Sequence, residues 1–525
     1  MVSSGPPPRP TIPELLGRAV REFGETPYVV TPTDRLTYAE ADRRSALAAR
    51  RLLAAGMGKG SRVGLFFTND TEWVTWWLAA SRIGAVAVPL STLYTPAEIG
   101  KVLRLADVGL LVAPTQVLRI DVAERLEAAL PGLSGQEPGR LQMPSAPYLR
   151  RIVLTSASDR PWADAWDADS WGEEGPTLVG PEILSAVEAE VTPADLAIMI
   201  HTSGSTADPK GVLHTHGTVV RQTSTWSAAI RGLTGIDWAP KVLCAMPFFW
   251  IGGVLAATGA LHEPATLLVL PRLEAGAALD LAERERANGI VGWPAFTQQL
   301  REHPTFPDRD LSSAPMLTSG PLDLAMNNVP DGFPTHRSLT ETAGSFAFTE
   351  TRIVLDDGGP APTGTMGELL IRGIGVMAGY NKRERADVFD ADGWYHTGDK
   401  VYRKNGDPRL FYVGRTSELI KAAGANVSPL EVQAVIETFD DVAQCVVLGV
   451  DHPSRGEEVC AVVVSASEAV DVDVESLAAR AREQLSSYKV PTRWILATSA
   501  EIPTLPSGKL NRRGLHALIA DGSLK

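Results

Sequence analysis

The sequence predicts an α/β fold. A large N-terminal domain of mixed, largely parallel sheets packed with helices is expected to precede a small α+β domain. Three observations predict this. From Arg62 onward, short apolar runs alternate with helical patterns. The chain has 525 residues, too many for a single hydrophobic core. Near Gly414 the texture changes from Gly-rich turns with short strands to a stretch long enough for one small domain. The boundary is placed between Gly414 and Glu418, giving domains 1–415 and 416–525.

In order, "RVGLFF" (62–67) reads as a strand, 71–83 as a helix, "VAVPL" (86–90) as a strand, 96–105 as a helix and "GLLVAP" (109–114) as a strand. Strands resume with "LAIMI", "VLCAMPF", "ATLLVLP", "GIVGWP" and "PMLTSG", each closed by a turn residue or loop. Between the two blocks, 156–175 is acidic and holds Trp162, Trp166 and Trp171. It reads as a surface insertion whose tryptophans cover something. "GELLIRG", "GWYHTGD" and "LFYVGR" are short strands with Gly turns. Beyond Gly414 the pattern gives a helix over 429–438, strands "CVVLGV" and "VCAVVV", and a helix over 475–485.

Composition narrows the function. The net charge of −13 disfavours general binding to nucleic acid or anionic lipid, which need positive surface. Three cysteines without CxxC spacing or a His cluster disfavour a disulfide frame or a zinc site. The N-terminal stretch has no apolar core, and no apolar run approaches the ~20 residues a membrane span needs. A cytoplasmic protein is the expectation.

The run "LAIMI" leads into "HTSGSTADPKGVLHTHG" (201–217), a loop of small hydroxylated residues closed by a lysine. Ligand loops of open parallel sheets lie at the carboxyl ends of strands, where this one falls. It is not GxxxxGK[ST], because Pro209 stands at the second Gly and Gly211 follows the lysine. It is not a GxSxG elbow, and a linker would not follow directly on a buried strand. A phosphate loop of another kind survives. Backbone N–H groups converge on an anion, Ser203, Ser205 and Thr206 add hydroxyls, and Lys210 supplies a mobile charge. A plain glycine-serine turn remains equally open on this stretch alone. "GIGVMAG" is GxGxxxG between strands, not a dinucleotide fingerprint at a helix start.

The whole string resembles the phosphate loop of the adenylate-forming ligases, which include acyl-CoA synthetases, luciferases and peptide-synthetase adenylation domains. "SLTETAG", "GELLIRGIGVMAGY", "GWYHTGD", "GRTSELIKAAGANVSPLEVQ" and "PTLPSGKLNRR" resemble further motifs in the family's order. "GSRVGLFFTNDTEWV" and "GAVAVPLSTLYTPAEI" look like its N-terminal sheet. The likeness runs from about Leu36 to Arg513 and is closest to an acyl-CoA ligase.

The resemblance implies that the large domain carries a small barrel and that the small α+β domain is a mobile lid; it also implies ATP, magnesium and coenzyme A, with a small-molecule carboxylic acid as substrate. It assigns Thr202, Ser203, Gly204, Ser205, Thr206, Lys210 and Thr340 to the nucleotide, with Glu341 and Thr206 on magnesium. Asp399 would bind the paired ribose hydroxyls, a task suited to one carboxylate. Arg415 would contact ribose or phosphate. Lys509 would lie between the acid and the α-phosphate, where a cation both positions and stabilises. Lys421 matches a lysine of the thiol step, and Gly424 a glycine beside the pantetheine channel. The small domain would rotate about Thr416 and Ser417 between the two steps. An uncharged acyl pocket of Trp250, Gly252, Gly253, Trp293, Ser319 and Thr342 is expected. No Asp follows Trp250 to pair an amino group, so an apolar fatty, aryl or polycyclic acid is favoured over an amino acid.

Four positions depart from the family pattern. Ala207 replaces a usual Gly, Arg337-Ser338 an aromatic-Gly pair that stacks on adenine, Ser417 an Asp or Lys, and Trp250 a frequent histidine. Two alternatives accompany this reading. One delivers the acyl group to a separate carrier protein, and the other is a nucleotide-binding regulator with a decayed site. A homodimer is compatible with either.

Overall fold

The computed structural model describes residues 9–156, 158–166, 179–202, 209–224, 226, 239–318, 348–406, 410–415, 420–422, 425–452, 456–466, 472–503 and 510–524. Two compact units emerge. One comprises Met1–Thr92, Gly100–Ile200 and Gly211–Gly414, and the other Leu93–Ile99, His201–Lys210 and Arg415–Lys525.

The first unit is built on two largely parallel sheets. One has the spatial order Gly289–Val291, Lys241–Cys244, Thr266–Leu268, Pro27–Val30, Arg35–Thr37, with only the last pair antiparallel. The other runs Gly379–Tyr380, Lys210–Thr215, Leu196–Thr202, Val86–Pro89, Arg62–Leu65, Leu110–Ala113, Arg151–Leu154, Asp164–Ala165. Their strands carry apolar side chains on both faces, as sheets covered by helices on both sides require. A single core joins them: Val29, Val242 and Leu267 from one sheet meet Val63, Ala87 and Ile198 from the other around Trp73, Trp76 and Trp77.

Those tryptophans belong to the helix Thr71–Arg82, which is buried around nearly its whole circumference. Its start is fixed by Asp70, whose carboxylate accepts from Trp73 N–H at 2.8 Å and from Thr68 Oγ1–H at 2.5 Å. Burial pushes the Asp70 carboxyl up to about 6. A carboxyl raised above its unfolded value of about 4 binds protons more tightly when folded, so it costs stability as pH rises from about 4 to 6 and the cost then stays level. Asp70→Asn keeps the capping oxygen and removes this charge. Against wild type, the variant should gain about 2–3 kcal/mol in relative stability between pH 4 and pH 6.5. Urea unfolding of both proteins at the two pH values measures this; a pH-independent gap would refute it.

The tryptophans of the acidic insertion cover neighbours of this core. Trp162 is fully buried and donates to Glu127 Oε1 at 2.9 Å, and Trp166 lies 5.8 Å from Trp76. Trp171 lies outside the described residues. One expected strand is corrected. "PMLTSG" is helical over Pro315–Thr318, because Pro315 opens a turn in which Thr318 Oγ1 bonds back to the Pro315 carbonyl and Leu317 is buried. A short apolar run bears no period that separates the two choices. A further four-stranded sheet runs Glu350–Val354, Gly367–Arg372, Tyr395–Tyr402, Phe411–Arg415, its first three strands pairing antiparallel.

In the second unit Gly456–Ser465 pairs antiparallel with Val442–His452 and parallel with Arg493–Ala497. Alternate residues serve alternate faces. Cys445, Val447, Ala461 and Val463 pack under the helices Pro429–Ile436 and Val474–Gln484, while Val446, Leu448, Val462 and Val464 pack under Arg512–Ala520. Ser428 caps the first of these helices by accepting from Glu431 N–H, with Pro429 at its first position. No described helix is long and apolar enough to cross a membrane.

Candidate active site

The strand Leu196–Thr202 delivers the hydroxylated loop. Ala197, Ile198, Met199 and Ile200 are buried, and the exposed Thr202 ends the strand. His201 is buried, which pushes its imidazole down to about 4 and leaves it neutral. Lys210 opens the return strand Lys210–Thr215 and is half-buried. Gly211 after it has a structural reason: a Cβ there would sit 2.7 Å from Met199 Sδ and 3.2 Å from Asn381 Cβ. Ser203, Gly204, Ser205 and Thr206 lie outside the described residues.

The "GWYHTGD" stretch forms a shaped turn. Trp394 is buried between the Arg352 and Arg372 guanidinium groups, 4.6 and 4.4 Å from its ring. The pairing of Gly367–Arg372 with Tyr395–Tyr402 then slips, with Leu370 opposite His396 and Glu368 opposite Lys400. Gly398 takes up the slip at φ +73°, a conformation that favours glycine. Thr397 Oγ1 donates to the Leu369 carbonyl at 2.7 Å and accepts from Asp399 N–H at 3.0 Å, and Glu368 Oε1 accepts from Gly398 N–H at 3.0 Å. Four residues thus hold the backbone from which the half-buried Asp399 carboxylate projects.

Trp250 and Trp293 come together. The adjacent parallel strands Lys241–Cys244 and Gly289–Val291 end side by side, and each leads into a helix, Ile251–Gly259 and Pro294–Glu302. Trp250 and Trp293 occupy the residue before each helix, so their rings meet at 6.5 Å. Both are half-buried, and Trp293 contacts Phe296 at 5.8 Å. Gly252 lies under a flexible side chain, since a Cβ there would meet Met246 Cε at 2.4 Å. Gly253 packs against backbone, and its Cβ would stand 2.2 Å from the Pro247 carbonyl oxygen. The arrangement is an uncharged aromatic wall of two indole rings tilted 55° to each other, at the carboxyl ends of parallel strands, the usual place for a ligand in such sheets.

Lys421 lies exposed on the strand Ile420–Ala422, and its N–H donates to Glu457 Oε2 at 2.6 Å. Arg415 ends the strand Phe411–Arg415, where only the backbone is described. Ser319, Thr340, Glu341, Thr342, Gly424, Lys509 and the variant positions Ala207, Arg337, Ser338 and Ser417 lie outside the described residues. Thr206 and Glu341, the residues expected to meet magnesium, are among those not described. One residue that sequence reasoning missed is Asn69, which holds the turn before Trp250. Its only signal was its place just after the strand at 62–65.

Sequence and fold together match those of the adenylate-forming enzymes. The chain belongs to the AMP-binding enzyme family, which matches residues 16–326, with the family's C-terminal domain matching 431–509. It falls in the class of AMP-forming acid–thiol ligases. It is similar to a feruloyl-CoA synthase of Amycolatopsis, at 30% identity over 90% of this chain and 92% of the relative. A methyl-dioxo-octahydroindenyl-propanoyl:CoA ligase of Mycobacterium tuberculosis is 30% identical over 97% of this chain and 99% of its own. Among solved structures, the amide bond synthetase McbA of Marinactinospora thermotolerans superposes with a TM-score of 0.74 at 25% identity, covering 96% of this chain and 99% of that one.

Proposed function

We propose that the chain activates an apolar, ring-bearing carboxylic acid with ATP and transfers the acyl group to coenzyme A. The carboxylate attacks the α-phosphorus, pyrophosphate leaves, and the mixed anhydride then yields to the thiol with release of AMP. Phosphates are held by the loop 202–206 and Lys210, and the ribose by Asp399 and Arg415. Lys509 serves the first step, and Lys421 with Gly424 the second. The small domain, 416–525, turns about Thr416 and Ser417 between them. The observation that carries the substrate class is the Trp250–Trp293 wall, whose two indole rings offer an apolar aromatic surface and no charge to pair an amino group. Two of the relatives at 30% identity are named for acids that carry rings, which supports the same reading.

The acceptor has competing readings, and the likeness to an amide bond synthetase makes an amine one of them. A panel of aryl, polycyclic, fatty and short acids with ATP, magnesium and coenzyme A, a carrier-protein thiol or an amine, read by mass spectrometry, decides both. Acyl-CoA from ring-bearing acids is the expected product. Carrier-bound acyl groups or amides without acyl-CoA would overturn the acceptor. Trp250→Ala should raise KM for the best aryl acid about tenfold or more while KM for ATP stays within about twofold, as loss of a half-buried aromatic surface implies. An unchanged acid KM would remove Trp250 from the acyl site.

A further inference from the structure

Asn69 follows the strand Arg62–Leu65 of the eight-stranded sheet, yet it acts on a turn at the end of Lys241–Cys244 in the other sheet. Its carboxamide makes two bonds to that turn. Nδ2 donates to the Met246 carbonyl at 2.9 Å, and Oδ1 accepts from Phe248 N–H at 2.7 Å. Asn69 is 8% exposed, so neither bond is exchanged freely with water. The same turn launches the aromatic wall, for Trp250 N–H donates to the Pro247 carbonyl at 3.0 Å. A second contact supports it: Trp73, in the helix that begins just after Asn69, lies 4.9 Å from Phe248. Met246 in turn lies over Gly252. Releasing the turn therefore frees Met246 and Trp250 together.

We propose that Asn69 is a positioning residue for the acyl acid, a two-point clamp that sets the Met246–Phe248 turn and through it the Trp250 wall. This rests on the acyl-site reading above. The chemistry requires an amide, because one planar group must present a donor and an acceptor at once. Aspartate would still accept from Phe248 N–H but would set an oxygen against the Met246 carbonyl. Alanine would leave both backbone groups unsatisfied in a buried place.

The test is steady-state kinetics of Asn69→Asp and Asn69→Ala, with Trp250→Ala as reference, varying a bulky aryl acid, a short acid and ATP in turn. Asn69→Asp should raise KM for the aryl acid about tenfold, the equivalent of one lost bond. The short acid should suffer less, and KM for ATP should hold. If Asn69→Ala does not fold, Asn69→Asp, which retains one of the two bonds, carries the test. A wild-type aryl-acid KM in Asn69→Asp alongside a raised one in Trp250→Ala overturns the clamp and spares the acyl wall. Wild-type values in both overturn the wall itself. A uniform fall in kcat with every KM unchanged marks a residue that only supports folding, and also overturns the clamp.

Discussion

Lys509→Ala should release pyrophosphate at less than about one-hundredth of the wild-type rate, the scale of losing one preorganised charge contact to a transition state. The electrostatics of the proposed first step require this. A carboxylate approaching a triphosphate meets like charge, and attack on the α-phosphorus spreads further negative charge over its equatorial oxygens. A cation between the reactants lowers both barriers, and alanine supplies none. The second step places no such demand on Lys509. Supplied with preformed acyl-adenylate and coenzyme A, the variant should therefore make acyl-CoA at close to the wild-type rate, whereas Lys421→Ala should show the reverse pattern. Acid-dependent pyrophosphate release measures the first step, and single-turnover thioester formation the second. Wild-type pyrophosphate release by Lys509→Ala would sink the assignment.

What could be read from the sequence was what leaves a local mark. The alternation of 62–113 appears as strand, helix, strand, helix, strand, because short parallel strands buried on two faces are apolar throughout and helices between them repeat every three or four residues. Trp250 and Trp293 could be named from their motifs, but only the pairing of Lys241–Cys244 with Gly289–Val291 explains why they meet. The strand Pro27–Val30 went unread: its antiparallel partner Arg35–Thr37 is only three residues long, and its parallel partner Thr266–Leu268 lies far along the chain. Buried polar residues were the hardest to find. Asn69 bonds a turn 177 residues away, and in a sequence an asparagine after a strand reads as a loop residue. Thr397 and Glu368 shape the turn of Asp399 through a slip in register, which depends on a strand partner rather than on composition.

Lys489→Met should cost about 3–5 kcal/mol of stability, the scale set by removing one partner of a buried ion pair. Within the second unit, Lys489 Nζ donates to Glu98 Oε1 at 2.8 Å and to Glu431 Oε1 at 2.9 Å, and the three side chains are 5%, 10% and 8% exposed. Glu98 also accepts from Ser486 Oγ–H at 2.6 Å and from Thr95 N–H at 2.9 Å. Burial works against the ammonium charge, but Tyr488, Glu431 and Glu98 together hold Lys489 well above the usual lysine range. Its stabilising contribution is thus fully present below the unfolded value of about 10 and is lost only as pH rises through the higher folded value, so between pH 5 and 9 it is constant in wild type. The variant behaves otherwise. With the ammonium gone, two carboxylates share a dry site, and each takes up a proton more readily than in the unfolded chain. The deficit of Lys489→Met should therefore narrow as pH falls from 7 to 5. Removing the charges as a set should restore most of the loss, because Glu98→Gln and Glu431→Gln combined with Lys489→Met leave polar groups but no unpaired ion. Urea unfolding of wild type, single and triple variants at both pH values measures these differences. A single variant within about 1 kcal/mol of wild type at pH 7, or a triple variant no better than the single, would show that the buried charges do not hold this unit together.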